Sequence, residues 1–300
     1  MDAAIDVGSN TIRMLISSDF HDGKLPPRYY RHITRLAGDF TEQVGLSESG
    51  MDRSLSVLQS YQKIITSQNI SRVKVVGTAV LRRARNRLFF VNKVYASTGL
   101  KIEIIDGAEE AMLATQGVLS VVDPMPDAAI ILDIGGGSSE LACVIDGKVQ
   151  FQQSFPLGVV RLCEEFSSAA QRRQQIEITF KSFSESLQQI ELAGKKYQLI
   201  GTAGTITTLA AIHLRLREYD ANKINNHHLS SDWLSSLEAK LKLMTIPERE
   251  NLIGMEPGRG DLILPGLEII LFLLNQLQLS TLWVSDSGLL EGVMLNLTDS

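Results

Sequence analysis

The chain has 300 residues, a formal net charge of −5, 44% hydrophobic and 21% charged residues, a balance that suits a globular protein of two ordinary domains and argues against general nucleic-acid binding. No apolar run is long enough to cross a bilayer, since the longest, near the C-terminus, is interrupted by Pro265, Gly266 and Glu268. Cys143 and Cys163 stand far apart without CxxC spacing, no basic leader precedes the first strand, and the five histidines show no zinc spacing, so a reduced, cytoplasmic protein free of membrane is expected.

In chain order, residues 3–16 read as two apolar strands around Asp6-Val7-Gly8-Ser9-Asn10. A third strand is predicted over 29–36, with Gly38 and Gly45 marking the loop after it, and an amphipathic helix over 51–66 from the spacing of Leu55, Leu58 and Ile65. A buried strand over 73–76 leads through Gly77-Thr78-Ala79 into a mostly helical stretch, 79–96. Residues 101–105 form a strand, and Asp106-Gly107 opens a helix over 109–121. Asp123-Pro124-Met125-Pro126-Asp127 cannot continue that helix, which places the domain boundary between 123 and 124.

The second half repeats the plan. Residues 129–145 are a strand pair around Asp133-Ile134-Gly135-Gly136-Gly137-Ser138, followed by the Asp146-Gly147 turn, a strand over 149–156 and a helical region over 158–166. A long polar helix covers 171–193, a strand 197–201, and Ala203-Gly204-Thr205 leads into a helix over 206–216. Residues 217–262 look like an insertion that carries a helix over 231–244, with His227-His228 in a surface loop. A helix over 265–277, a strand over 282–285 and a last helix over 288–297 complete the chain. Aligning Asp6 with Asp133 sets Gly8 on Gly135 and Arg13 on Glu140, while Val75-Val76-Gly77-Thr78-Ala79 matches Leu199-Ile200-Gly201-Thr202-Ala203 in the same order. Internal repetition of alternating strands and helices predicts an α/β protein of two similar domains, 1–123 and 124–300, whose Asp-x-Gly turns close on one ligand cleft.

Glycine turns without Cβ atoms let a ligand approach the backbone, and their N–H groups form concave nests that favour phosphate. Asp133 and Glu140 flank one such turn and are placed to hold a cation against the phosphate. Asn10, Ser138 and Thr205 offer neutral hydrogen bonds, and Arg13 and Arg82 charge-assisted ones. Arg82 belongs to a run of seven cations between 71 and 93 that contains no acid. Such a run is usually a solvated helix face, but its place after Gly77-Thr78-Ala79 favours a patch for a polyanion. Glu109-Glu110 start a helix, where acids complement the dipole; beside the same cleft they are also candidates for a general base, Glu110 first and Glu109 as the alternative.

Asp6-x-Gly-Ser-Asn-Thr-x-Arg13, Gly77-Thr-Ala-x-Leu-Arg-Arg-Ala-x-Asn86, Asp106-Gly-x-Glu-Glu-Ala111 and Asp133-Ile-Gly-Gly-Gly-Ser-Ser-Glu140 occur in this order. They are continued by Pro156-Leu-Gly-Val-Val-Arg-Leu162, Gly201-Thr-Ala-Gly-Thr205, Arg259-Gly-Asp261, Pro265-Gly266 and Ser285-Asp-Ser-Gly288. The chain resembles the exopolyphosphatase/guanosine pentaphosphate phosphohydrolase family, within the superfamily of sugar kinases, heat-shock ATPases and actin. That resemblance implies two actin-like (ribonuclease H-like) domains, with the last helix packing back on the first. It implies Mg²⁺-dependent hydrolysis of the terminal phosphate of inorganic polyphosphate, or of the 5′ γ-phosphate of guanosine pentaphosphate in the stringent response. By position, Glu110 matches the family's catalytic glutamate, Arg82 its phosphate-contacting arginine, and Arg13 and Arg259 the arginines that hold guanosine polyphosphate. The expected phosphate-binding set is Gly8, Ser9, Asn10, Arg13, Arg82, Gly135, Gly136, Gly137, Ser138, Gly204, Thr205 and Arg259. The expected metal set is Asp133, Glu140 and Asp6, with a monovalent cation such as K⁺ as a further ion. A homodimer fits the family.

Thr11 stands where the family often has serine, and Ala37 where glycine is usual; the C-terminal helical region of longer members is missing, which bears on processivity. Two rivals remain: an ATP-dependent kinase of the superfamily, and a non-catalytic sensor of guanosine polyphosphates. Glu109-Glu110 after Asp106-Gly107 disfavours the first, and intact acids at Glu110, Asp133 and Glu140 disfavour the second.

Overall fold

The computed structural model describes residues 1–17, 27–124, 126–189 and 197–298. The chain divides into two compact units, 1–117 with 289–300, and 118–288. The first contains β1 (Asp2–Val7), β2 (Thr11–Ser17), β3 (Arg28–Ile33), α1 (Glu48–Ser67), β4 (Arg72–Gly77), α2 (Ala79–Arg83), α3 (Arg87–Thr98), β5 (Ile102–Ile104) and the start of α4 (Gly107–Leu119). Its sheet runs β3-β2-β1-β4-β5, with β4 parallel to β1 and β5 parallel to β4. All residues of β1 are buried, as a central strand covered on both faces requires. α1 is started by Ser47, whose Oγ accepts from the Gly50 N–H at 3.2 Å, and it buries Met51, Leu58, Tyr61 and Ile65 on one face.

The third strand stops at Ile33, short of its predicted end. Thr34 and Arg35 turn their N–H groups to the Asn10 carbonyl, both at 2.9 Å, and Ala37 donates to the Ser9 carbonyl at 2.9 Å. The helical stretch predicted over 79–96 is broken between α2 and α3. There the Asn86 amide accepts from Leu46 N–H and donates to Leu46 C=O, both at 2.9 Å, stapling a distant loop.

The second unit contains β6 (Ala128–Ile134), β7 (Ser139–Ile145), β8 (Lys148–Phe155), α5 (Val159–Glu165), α6 (Ala169–Gln189), β9 (Tyr197–Thr202), α7 (Ala203–His213), α8 (Ala221–Ile224), β10 (His227–Ser230), α9 (Ser231–Leu243), α10 (Ile246–Glu250), α11 (Ile263–Gln276) and β11 (Thr281–Val284); α12 (Leu289–Thr298) then returns to the first unit. The second sheet runs β10-β11-β9-β6-β7-β8. Read from the other edge, β8-β7-β6-β9-β11 reproduces the first sheet strand for strand. The insertion contributes β10, antiparallel to β11. His227-His228 therefore lie on a strand rather than in a loop. Alternation sends His227 to His213 (Nε2 to Nδ1, 2.8 Å) and stacks His228 on Trp283.

The boundary differs from the predicted 123/124. Val118 and Val122 share a core with Ala129, Ile131, Ala142, Val144 and Ile200, so the second unit starts at Val118. In the first unit Leu289, Leu290, Val293 and Met294 of α12 pack with Ala4, Leu15, Val76, Ile105, Leu113 and Ala114. The predicted helix ending at 193 and the linker residue 125 fall partly outside the described residues. Among the described residues, no helix is long and apolar enough to cross a membrane.

Candidate functional site

In the first unit the carboxyl ends of β1, β4 and β5 lie side by side, the usual place for a ligand on a parallel sheet. The β1–β2 turn is closed by Gly8 N–H donating to Thr11 C=O at 3.0 Å. Antiparallel register sets Asp6 opposite Arg13, and the guanidinium grips Asp6 Oδ2 through Nε at 3.1 Å and Nη2 at 2.7 Å. Asp6 thus faces a fixed cation through Oδ2 and orients Arg13. Tyr61 backs this pair by donating to the Ile12 carbonyl at 3.2 Å, and burial pushes its hydroxyl above the ordinary phenol range. Among the described residues, Asp6 Oδ1, Ser9 Oγ and Asn10 Oδ1 are buried without a hydrogen-bond partner. Each such atom costs about 1–3 kcal/mol unless a partner is supplied, and their clustering at one turn marks a place built for a ligand.

Beyond β4 and β5, Arg82 Nη1 pairs with Glu110 Oε2 and donates to the Ile105 carbonyl at 3.2 Å. Both bonds use Nη1, which leaves Nε and Nη2 as the donors suited to a phosphate. Glu110 is 7% exposed. Glu109 is half-buried, and its N–H is the one capped by Asp106 Oδ1 at 2.8 Å. The two adjacent acids thus have different partners, Glu110 meeting Arg82 and Glu109 lying over the Asp106 cap.

The rest of the cationic run corrects the patch expected from sequence. Arg72 pairs with Asp2, Lys74 with Glu103, Arg83 with Glu42 and Lys93 with Asp52, while Arg85 donates to the Gln43 carbonyl. Acids distant in sequence pair with four of these cations, Arg87 like Arg85 donates to a carbonyl, that of Arg82, and Arg82 meets Glu110 at the strand ends.

In the second unit the same register places Asp133 opposite Glu140, with both side chains on one face and both residues under a tenth exposed. Ser154, opposite Glu140 on β8, donates to Glu140 Oε1 at 2.7 Å. Nothing local in sequence marks Ser154; only the strand register reveals it. Gly135 N–H donates to Ser138 C=O at 3.0 Å, closing the turn as Gly8 does. The turn's carbonyls are taken by the start of α5: Val159 N–H donates to Gly135 C=O at 3.0 Å and Val160 to Gly136 C=O at 2.9 Å. Gly158 makes this approach possible, because a Cβ there would lie 2.5 Å from the Gly135 oxygen and the Gly136 carbonyl carbon. The first unit does the same with Thr34–Ala37 on Asn10 and Ser9. In both units the segment after the third strand holds the turn by its carbonyls.

Beside β6, the end of β9 carries Thr202, whose Oγ1 donates to the Ser287 carbonyl at 2.7 Å, and Ala203, held at a φ of 71°. A non-glycine residue in that left-handed region is strained, and such strain gathers at functional turns. Gly204 C=O accepts from Thr208 Oγ1 at 2.6 Å, and among the described residues Thr205 Oγ1 is buried without a partner. Arg259 is buried before α11 and paired with Glu256. Among the described residues no group of three or more His, Cys, Asp or Glu is arranged to hold a metal; Asp133 and Glu140 offer two carboxylates.

These arrangements can be set beside known proteins. The description "Ppx/GppA phosphatase family" matches residues 29–300. The chain is 30% identical to exopolyphosphatase 2 of Mycobacterium tuberculosis over 98% of each protein. It is 29% identical to a bifunctional 3-dehydroquinate synthase/phosphatase of Fusobacterium nucleatum, of which it spans about half, 46% of the length. Among solved structures, an exopolyphosphatase from Cytophaga hutchinsonii superposes with a TM-score of 0.89 at 25% identity, covering 99% of this chain and 97% of that one. The Aquifex aeolicus Ppx/GppA member gives 0.79 at 30% identity, covering 100% and 98%. A family match over most of the chain, relatives aligned along its whole length, and two sheets with duplicated Asp-x-Gly turns agree: the chain belongs to the Ppx/GppA phosphatase family.

Proposed function

We propose that the protein is an exopolyphosphatase that removes the terminal phosphate of inorganic polyphosphate. The observation that carries this reading is the opposite polarity of the two equivalent turns. Asp6 opposite Arg13 makes one turn a grip for anions, and Asp133 opposite Glu140 makes the other a grip for a cation. A polyanion handled with a divalent metal needs one of each. Two buried acids side by side are unfavourable unless a cation lies with them. Mg²⁺ suits that pair, because it is commonly bound by one or two carboxylates with substrate phosphate oxygens and water completing its shell. When bound, it neutralises charge on the phosphates.

The protein's own part is positioning. Arg13, Arg82 and the N–H groups of the Gly8 turn are the phosphate-holding groups of the first unit, and Thr205, Arg259 and the N–H groups of the Gly135 turn those of the second. Glu110 orients a water in line with the scissile bond and takes its proton. The water oxygen bonds to phosphorus, the bridging P–O bond breaks, and the products are orthophosphate and a chain shorter by one. Arg82 ties these roles together, since it holds Glu110 with one nitrogen and keeps others for the phosphate.

The test is phosphate release with Mg²⁺ from short polyphosphate, long polyphosphate and guanosine pentaphosphate, with Glu110→Gln alongside. Loss of a positioned base should lower kcat by about 10²-fold or more. Activity within a few-fold of the parent would refute the role of Glu110. Release from the nucleotide alone would make the protein a guanosine pentaphosphate phosphohydrolase. Binding without turnover at ample Mg²⁺ would establish a sensor.

A further inference from the structure

The segment between α9 and α11 has no counterpart in the first unit, and its short helix α10 makes an unusual contact. α10 is fixed at its start by a reciprocal cap between Thr245 and Glu248, with Pro247 in the first turn. Its end delivers Glu250 to the loop that carries Arg259. Glu250 Oε2 accepts from Gly258 N–H at 3.0 Å, and Oε1 accepts from Gly260 N–H at 2.6 Å. One carboxylate thus accepts from the N–H groups of both residues that neighbour Arg259. The adjacent Arg249 reaches the same loop, donating through Nη1 to the Gly260 carbonyl at 3.4 Å and through Nε to the Leu241 carbonyl at 2.9 Å. On the far side, Leu262 and Ile263 donate to the Arg259 carbonyl at 3.0 and 2.9 Å as α11 begins.

An arginine between two glycines is ordinarily the most mobile arrangement a chain can offer, since glycine has the largest backbone freedom to lose. A mobile arginine grips phosphate poorly, because its ordering must be repeated at each binding event. Here Glu250 removes that freedom in advance. It lies on no strand end and at neither glycine turn, and its two oxygens are occupied by the loop. The loop is also shaped around it: a Cβ at Gly260 would lie 2.8 Å from Glu250 Cγ and Oε1.

We propose that Glu250 is a positioning residue for phosphate binding, acting through Arg259 by clamping the Gly258 and Gly260 amides. This rests on Arg259 holding phosphate, as in the function proposed above. A purely structural role for Glu250 predicts something different, so the two are separable.

The experiment measures the affinity of inorganic tripolyphosphate by calorimetry, and kcat and KM on polyphosphate. The proteins are the parent, Glu250→Gln, Arg259→Ala and the double variant. Glutamine can accept from only one of the two amides, so Glu250→Gln should weaken tripolyphosphate binding and raise KM about tenfold, the worth of one hydrogen bond to a charged group. kcat should stay within a few-fold. In the Arg259→Ala background Glu250→Gln should add nothing, because the arginine it serves is gone. Gly260→Ala, which pushes the carboxylate from the other side, should reproduce the affinity loss if Glu250→Gln folds poorly. Losses that multiply in the double variant, or unchanged affinity in Glu250→Gln with only a lower Tm, would overturn the proposal. Unchanged affinity in Arg259→Ala would overturn it too, by removing its target. Weaker tripolyphosphate binding in both single variants of a protein that hydrolyses nothing would sink the exopolyphosphatase reading and keep the clamp.

Discussion

Replacing Gly158 by alanine adds one methyl group where the start of α5 meets the glycine turn. At a φ of −124° the backbone accepts any residue, so left-handed strain is not the issue. The new Cβ would lie 2.5 Å from Gly135 O and Gly136 C and 2.6 Å from Gly136 O, against ordinary contact from 3.4 Å. The neighbours are backbone and cannot swing aside; the turn or the start of α5 must move by about 0.9 Å, the difference of those distances. Overpacking of this kind costs about 1–3 kcal/mol. For a unit of this size that is a fall in Tm of roughly 6–12 °C at the upper end. A displacement near 1 Å of a positioning element costs catalysis about 10²-fold. The assay is thermal unfolding followed by Mg²⁺-dependent phosphate release, both compared with Gly147→Ala. Gly147 has a φ of 72° with nothing within 4 Å of its Cβ position, so that substitution should cost about 1–2 kcal/mol through conformation alone and leave turnover intact. Parental Tm and activity in Gly158→Ala would refute the close-approach argument.

Asp6→Asn should raise KM for polyphosphate about tenfold by freeing Arg13 while leaving the Mg²⁺ dependence unchanged; a selective rise in the Mg²⁺ concentration needed would instead restore Asp6 to the metal. Glu268→Gln leaves Arg172 without its carboxylate, now held at 2.6 and 2.8 Å with both side chains under 15% exposed. It should destabilise the protein by about 3 kcal/mol in denaturant titration, and an unchanged midpoint would show the pair to be dispensable. His227 has its pKa lowered, first by burial and then by His213 and His228. The unfolded chain takes up that proton near the ordinary value of 6.5 and the folded one resists it, so stability falls as pH drops through that value and levels off below the folded pKa. Denaturation midpoints at pH 7.5 and 5.5 should draw closer together in His227→Gln, and an unaltered gap would assign the dependence elsewhere.

Much of the fold was legible because the chain writes its plan twice. Strong apolar runs ending in Asp-x-Gly fix strand, turn and strand, and the match of Gly77-Thr78-Ala79 to Gly201-Thr202-Ala203 foretold that β4 and β9 take equivalent places. What stayed hidden depends on register and distance. The acids that neutralise Arg72, Arg83 and Lys93 lie 30 or more residues away, which no local window reports. Ser154 reaches Glu140 only because β8 and β7 align at that residue. The break before α3 comes from a staple between Asn86 and Leu46, forty residues apart. The unit boundary moved because Val118 and Val122 find their core in the second sheet, while the linker prolines mark only where helix formation stops.

The two turns of the repeat diverge at one register position. Equivalent register positions in equivalent sheets carry Arg13 in one unit and Glu140 in the other, while the aspartate opposite each is kept. With acids at both positions, each turn would need an exchangeable cation and neither would hold phosphate alone. With arginines at both, the charge on the phosphates would be met only by fixed groups that cannot leave with product. In the proposed reaction, one fixed cation would grip the substrate directly, and a pair of acids would recruit a cation that binds along with it. The same register explains why Asp6 orients Arg13 through Oδ2 while Asp133 stands beside a second acid: the neighbour across the strand sets the charge an aspartate faces.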